Sequence, residues 1–196
     1  MFGNLFRKKE ETPQGPAFSY ITYISTDAKM NALAALAKAD ETLHFITWFP
    51  DTTAKLRALF SSRRLGDNRV HEGRGFHSGM LNGQQAVIAE VYPLHEKEKA
   101  LVQNWPQKEV KVYCGLDEPF FKTFGGDRII SLMEKMGMKG DEPLQHSLIT
   151  QSIINAQKKI AGKVSMEQSA SSQEEWMGKN VMIWRFDDLK CNDLEI

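Results

Sequence analysis

Three of the five histidines, His71, His77 and His95, lie within a few positions of Glu72, Glu96 and Glu98. Imidazole and carboxylate together are the material of a metal site or of acid–base catalysis. A metal site on a helix needs a fixed spacing such as His-x-x-x-His, and the chain has none, so these histidines read as ordinary surface residues and no metal is expected. Glu90, Glu96 and His95 are near one another in sequence, but nothing beyond proximity marks them for proton transfer. Cys114 ends a strand-like run without the Cys–His spacing of a thiol nucleophile, and reads as a small buried hydrophobe. Gly73-Arg74-Gly75 offers a different chemistry. Glycines let backbone N–H groups approach a phosphate, which makes this loop a candidate anion or nucleotide site. Of the four tryptophans, Trp105 beside Pro106 is the one expected to be exposed as a contact residue. No Gly-x-x-x-x-Gly-Lys-[Ser/Thr] loop and no Asp-Glu-Ala-Asp-like segment occurs, so P-loop hydrolysis of ATP is not expected and no cofactor is assigned.

The elements that would position these residues alternate between strand and helix. Residues 19–25 are rich in β-branched and aromatic types and read as a strand. Residues 28–39 form an alanine-rich helix with Asp27 as its expected cap. Residues 43–49 are a nearly continuous apolar run, the pattern of a strand buried on both faces. Asp51 or Thr52 is expected to cap the next helix, with Ala54, Leu56, Leu59 and Phe60 facing inward. Residues 66–83 are polar, glycine-rich and irregular. A strand at 85–92, a charged helix at 94–103 and a strand at 109–116 follow. The alternation predicts a small α/β three-layer sandwich with a mostly parallel sheet.

Residues 120–163 are helical and punctuated. Asp117 is placed to cap a first helix, with Pro119 in its first turn. Gly125 and Gly126 end that helix, and Asp127 is placed to cap a second, whose apolar face is Ile129, Ile130, Leu132, Met133 and Met136. Gly137 stops it and Pro143 blocks continuation. From about Ser147 a longer helix carries Ile149, Ile153, Ala156 and Ile160 at spacings of 4, 3 and 4, a seam that must lie against something. A partner, a second copy, the strand-like run at 181–186 or the chain's own α/β part are the choices.

One family resemblance rests on this segment. Phe124-Gly125, Asp127-Arg128-Ile129, Met133, Gly137-Met138, Asp141-Glu142-Pro143, His146 and residues 154–159 (Ile-Asn-Ala-Gln-Lys-Lys) stand in the register of the SecA protein-translocase motor family, where its second motor lobe passes into a scaffold helix. The resemblance implies a degenerate second RecA-like lobe followed by the start of the helical scaffold, in a bacterial protein. Lys29, Asn31, Ala32 and Leu33 resemble that lobe's Lys-x-Asn-Ala-Leu helix. Gly73-Arg74-Gly75 is similar to the family's nucleotide-side Gly-Arg-Gly, with Phe76 and His77 in place of Thr-Asp. Val87-Ile88, Glu90 and His95-Glu96 look like the strand and turn before its arginine-finger segment. There the likeness stops, because residues 101–108 contain neither arginine nor glycine. An arginine finger contributes orders of magnitude in rate, and lysine does not reproduce its fork.

With 196 residues, 41% hydrophobic and 26% charged, the chain can bury a core. Its net charge of zero argues against nucleic acid as a partner. Cys114 and Cys191 are too few for a disulfide framework. No membrane span or signal peptide is read, and a cytoplasmic location is expected. Phe2, Leu5 and Phe6 beside Arg7, Lys8 and Lys9 allow a weak peripheral lipid contact. The expected organisation is a flexible arm (1–17), an α/β lobe (18–117), a helical extension (118–164), and a linker with a possible edge strand and acidic tail (165–196). The expected function is a non-enzymatic one. The chain would bind a protein partner or its own copy through Ile149, Ile153, Ala156, Ile160 and Trp105, or else regulate by binding a nucleotide or anion at Gly73, Arg74 and Gly75.

Overall fold

The computed structural model describes residues 15–181, apart from Met136 and Met138. The lipid contact expected of Phe2, Leu5 and Phe6, the strand expected beyond Val181, and Cys191 lie outside the described residues. Five strands, β1 (Ala17–Tyr23), β2 (His44–Thr47), β3 (Val70–Glu72), β4 (Ala86–Ile88) and β5 (Glu109–Gly115), form one sheet in the order β1-β5-β4-β2-β3, every pair parallel. Two helices, α1 (Thr26–Ala39) and α2 (Pro50–Ser62), join the first three strands. They are followed by α3 (His95–Val102), α4 (Pro119–Thr123), α5 (Gly126–Lys135), α6 (Ser147–Ala161) and α7 (Gln173–Asn180). The fold is a small three-layer α/β sandwich.

Strand side chains alternate between the faces, which sorts the core into two clusters. On one face Ile21, Tyr23, Phe45, Val87 and Tyr113 meet Leu33, Ala34 and Ala37 of α1 and Leu56 and Phe60 of α2. On the other, Tyr20, Ile46, Ile88, Val112 and Cys114 meet Val102 of α3, Phe120 of α4, Ile153 and Ile160 of α6, and Trp176 and Met177 of α7. Residues after 117 therefore share a core with the strands before them. The free edge of β1 is closed by an antiparallel bridge. Thr22 N–H donates to Leu144 O at 2.9 Å and Leu144 N–H to Thr22 O at 2.8 Å.

Local chemistry explains most element ends and corrects several expectations. Ser25, not Asp27, caps α1, its Oγ accepting from Ala28 N–H at 3.2 Å. Neither Asp51 nor Thr52 caps α2, which starts at Pro50 behind Phe49. Asp117 does not cap α4 but accepts from Thr26 N–H (2.6 Å) and Thr26 Oγ1 (2.7 Å), tying the end of β5 to the start of α1. That approach demands Gly115, since a Cβ there would lie 2.7 Å from Thr26 N. The irregular 66–83 segment contains β3, too short and too polar to show a period. The serine-rich stretch ends in α7, whose N-cap Ser172 accepts from Glu175 N–H at 3.1 Å.

The end of α2 carries an unusual residue. Leu65 N–H donates to Phe60 O (2.8 Å) and Arg64 N–H to Ser61 O (3.1 Å), the two bonds of a Schellman motif. The left-handed position in this motif normally holds glycine, and here it holds Arg64 at φ 57°. A side chain in that conformation costs about 1 kcal/mol. Arg64→Gly is therefore expected to raise the melting temperature by about 2–4 °C in a domain of this size. An unchanged or lower value in a thermal melt would contradict the cap assignment.

Candidate functional site

In an open parallel sheet, ligands bind outside the carboxyl ends of the strands, and the start of the following helix attracts their anionic groups. In this chain that edge is occupied from within. Glu90, two residues beyond β4, turns back under the start of α2. Its Oε1 accepts from Trp48 N–H (2.7 Å) and Phe49 N–H (3.0 Å), and its Oε2 from Thr52 Oγ1 (2.6 Å). The helix thus has a buried internal carboxylate where a ligand phosphate would sit. Beside it, Lys29 of α1 forms a buried ion pair with Glu118, the residue preceding α4. Glu118 Oε2 has no hydrogen-bond partner among the described residues.

One ammonium therefore faces two buried carboxylates. Burial alone pushes Lys29 down, but Glu118 and Glu90 outweigh it and hold the ammonium above the usual lysine range. Burial pushes the Glu90 carboxyl up to about 7, against the pull of Lys29, Thr52 and Phe49. Burial raises the Glu118 carboxyl as well, against the pull of Lys29, so the two carboxylates share the surplus proton. A buried Cys114 lies by this cluster, its thiol pushed well up by burial, which suits packing rather than nucleophilic attack.

A second buried polar knot fixes α6. Glu98 is fully buried and accepts from the Tyr20 hydroxyl, from Tyr92 N–H (2.9 Å) and from Gln157 Nε2 (2.8 Å). Gln157 Nε2 also reaches Tyr92 O at 2.7 Å. Strand β1, helix α3 and helix α6 are joined at one carboxylate, and the α6 seam is covered by the chain itself. Ile153, Ala156 and Ile160 are buried and Ile149 half-buried against the sheet. The seam is not a free docking face. Trp105, expected on the surface, is also buried, its ring edge-on to Phe76.

The remaining sequence-named residues are dispersed. Gly73 N–H already donates to Thr47 O at 2.7 Å, so it does not face a ligand. A Cβ at Gly73 would press on the Trp48 ring at 3.3 Å, a packing reason for this glycine. Arg74 is exposed, and Gly75 sits at φ 81° with open space around it. His71 and His95 are half-buried rather than plain surface groups. His71 Nε2 lies 2.9 Å from His44 Nδ1, and His95 Nδ1 lies 3.4 Å from Glu98 Oε2. His77 is exposed, and Glu96 pairs with Lys99, so Glu90, Glu96 and His95 go to different partners. His146 caps α6, its Nδ1 accepting from Leu148 N–H at 3.1 Å. Among the described residues no three histidine, cysteine or acidic side chains are grouped to hold a metal ion, and no helix is long and apolar enough to cross a membrane. Reading the sequence by motif misses Glu118 and the joint role of Lys29 and Glu90; the available signal is a glutamate enclosed by the apolar residues 86–92.

No family model matches the chain. A segment of it is similar to curated protein translocase subunits. It is 43% identical over 53 residues to SecA 1 of Alkaliphilus metalliredigens (strain QYMF), covering 27% of this chain and 6% of that protein. It is 48% identical over 50 residues to SecA of Sorangium cellulosum (strain So ce56), covering 26% and 5%. SecA 1 of Clostridioides difficile (strain 630) is 42% identical over 53 residues, covering 27% and 6%. The chain thus holds a SecA-related segment and spans about a twentieth of the length of these relatives, far short of the full motor.

The charge cluster yields two expectations. A carboxyl raised by burial binds its proton more tightly in the folded chain, so its contribution falls as pH rises from about 4.5 to about 7. Glu90→Gln keeps the acceptor for Trp48 and Phe49 and removes the share of the titration that belongs to Glu90. The stability difference between wild type and this variant is expected to fall across that window in denaturant titrations, and a constant difference would refute the assignment. Lys29→Met leaves two buried carboxylates without their cation and is expected to cost about 3–5 kcal/mol at pH 8, less at pH 5. A loss below 1 kcal/mol at pH 8 would show that the pair is not the site's charge balance.

Proposed function

We propose that this chain is a non-catalytic binding protein with a translocase-related segment, acting through protein contacts or self-association. The observation that carries the reading is the closed ligand edge. Glu90, Glu118 and Lys29 fill the place where an α/β lobe takes up anionic groups, and Gly73 N–H is held by Thr47. A nucleotide's phosphates would meet buried carboxylates there, and no arginine stands in residues 101–108 to balance transferring charge. The matched relatives are named protein translocase subunits, which brings a translocase component into the proposal as a partner, beside a second copy of this chain. Because α6 is docked on its own sheet, the contact surface belongs elsewhere on the molecule.

Two measurements test this. Incubation with ATP and magnesium is expected to release no phosphate above background, and ATP, ADP or phosphate to leave the melting temperature unchanged. Turnover, or a nucleotide-induced stabilisation removed by Arg74→Ala, would replace the reading with that of a nucleotide-dependent protein. Gel filtration with light scattering then separates self-association from a need for another protein.

A further inference from the structure

A concave surface lies at the opposite edge of the sheet, away from the closed site. A groove of about 1020 Å3 runs between the C-terminal ends of α1 and α2, lined by Lys38, Arg63, Arg64 and Arg69 against a single carboxylate, Glu41. In a chain of zero net charge this is a marked separation of charge. Two helix C-termini converge here, and their dipoles alone would make the groove negative. Arg69 cancels that effect for α1, donating to Ala37 O (3.0 Å) and Asp40 O (2.7 Å) while lying over the Phe45 ring. Arg63 is exposed and leans on Asn31, and Lys38 and Arg64 are exposed. Among the described residues none of these three has an ion-pair partner. The nearby acids are turned to local partners, Asp40 to Thr42 and Asp67 to Ser61. The floor is apolar and low, formed by Ala34, Ala37 and Leu65.

We infer that this groove binds an acidic peptide segment carrying apolar side chains, presented by a partner protein. Charge complementarity selects the acid, and the alanine floor beneath a cationic rim admits a backbone with small apolar contacts. The lining has no phenylalanine, tyrosine or tryptophan on which a nucleic-acid base would stack, and its one imidazole, His44, is held between His71 and Gln84, which favours peptide over oligonucleotide. Arg64 carries a further argument. It occupies a left-handed position at which glycine is less strained, and its side chain stands on the groove rim. This inference rests on the reading of the chain as a binding protein.

The test is fluorescence anisotropy of a labelled short peptide alternating Glu and Leu, titrated with the full chain. Binding is expected, weakening from low to high salt, while the matching Gln–Leu peptide does not bind. Arg63→Glu combined with Arg64→Glu should weaken binding by about tenfold or more. Arg64→Gly separates function from folding, because it is expected to melt higher and yet bind several-fold more weakly. Lys38→Glu, on the exposed face of α1, provides an independent variant. Equal binding of the neutral peptide, preference for an oligonucleotide, full competition by inorganic phosphate, or wild-type affinity in Arg64→Gly would each overturn the inference. ATP turnover would sink the underlying reading without touching the groove. A dimer in light scattering with no peptide binding would remove the groove and leave that reading standing.

Discussion

A sheet whose strands all run parallel has two apolar faces, and neither can be left to water. Everything in this chain follows from meeting that requirement with few residues. Helices α1 and α2 cover one face while also serving as the crossovers between strands. The other face receives only the short α3 from the strand-helix alternation, and the deficit is made up by α4, α6 and α7. The helical segment that follows β5 is therefore a structural layer of this domain. Its isoleucines do the work that a longer α/β domain would assign to further crossover helices.

The same economy shapes the carboxyl edge. Glu90 and Glu118 are both buried where strand ends meet helix starts, and a single lysine answers both. Buried ionic clusters contribute little net stability compared with apolar packing, but they punish misplacement severely. Here the cluster makes the positions of α1, α2 and α4 mutually dependent. Glu98 does the same for β1, α3 and α6 on the other side of the sheet. The two knots hold the layers in one register, which greasy surfaces alone would leave free to slide.

How much of this is legible in the sequence depends on how local the cause is. Strands β1, β2 and β5 are legible because each is a run of apolar and β-branched residues, and α6 is legible from the 4-3-4 spacing of its isoleucines and alanine. Strand β3 is not, since Val70 is its one buried residue and its pairing with β2 supplies the rest. Helix α7 is half-legible, because Ser172 and Glu175 form a start signal inside a composition that otherwise reads as linker. The charge cluster is the least legible part. A glutamate among apolar residues gives no sign of which helix start it will meet, and Asp117, a sound local cap, is drawn instead to Thr26. Trp105 illustrates the same limit, because its polar neighbours suggest a surface that the ring of Phe76 removes.

The bridge between Thr22 and Leu144 has a bearing on how this molecule behaves in a crowded solution. An exposed strand margin offers a row of unpaired amides on which another chain can template itself. The seven-residue β1 is the longer of the two marginal strands, and the chain sets its own Leu144 against it as an antiparallel bridge. The opposite margin, β3, is three residues long and offers too short a template for orderly growth. Assembly by strand addition is therefore disfavoured at both ends of the sheet, and whatever company this protein keeps must be recruited through its side chains.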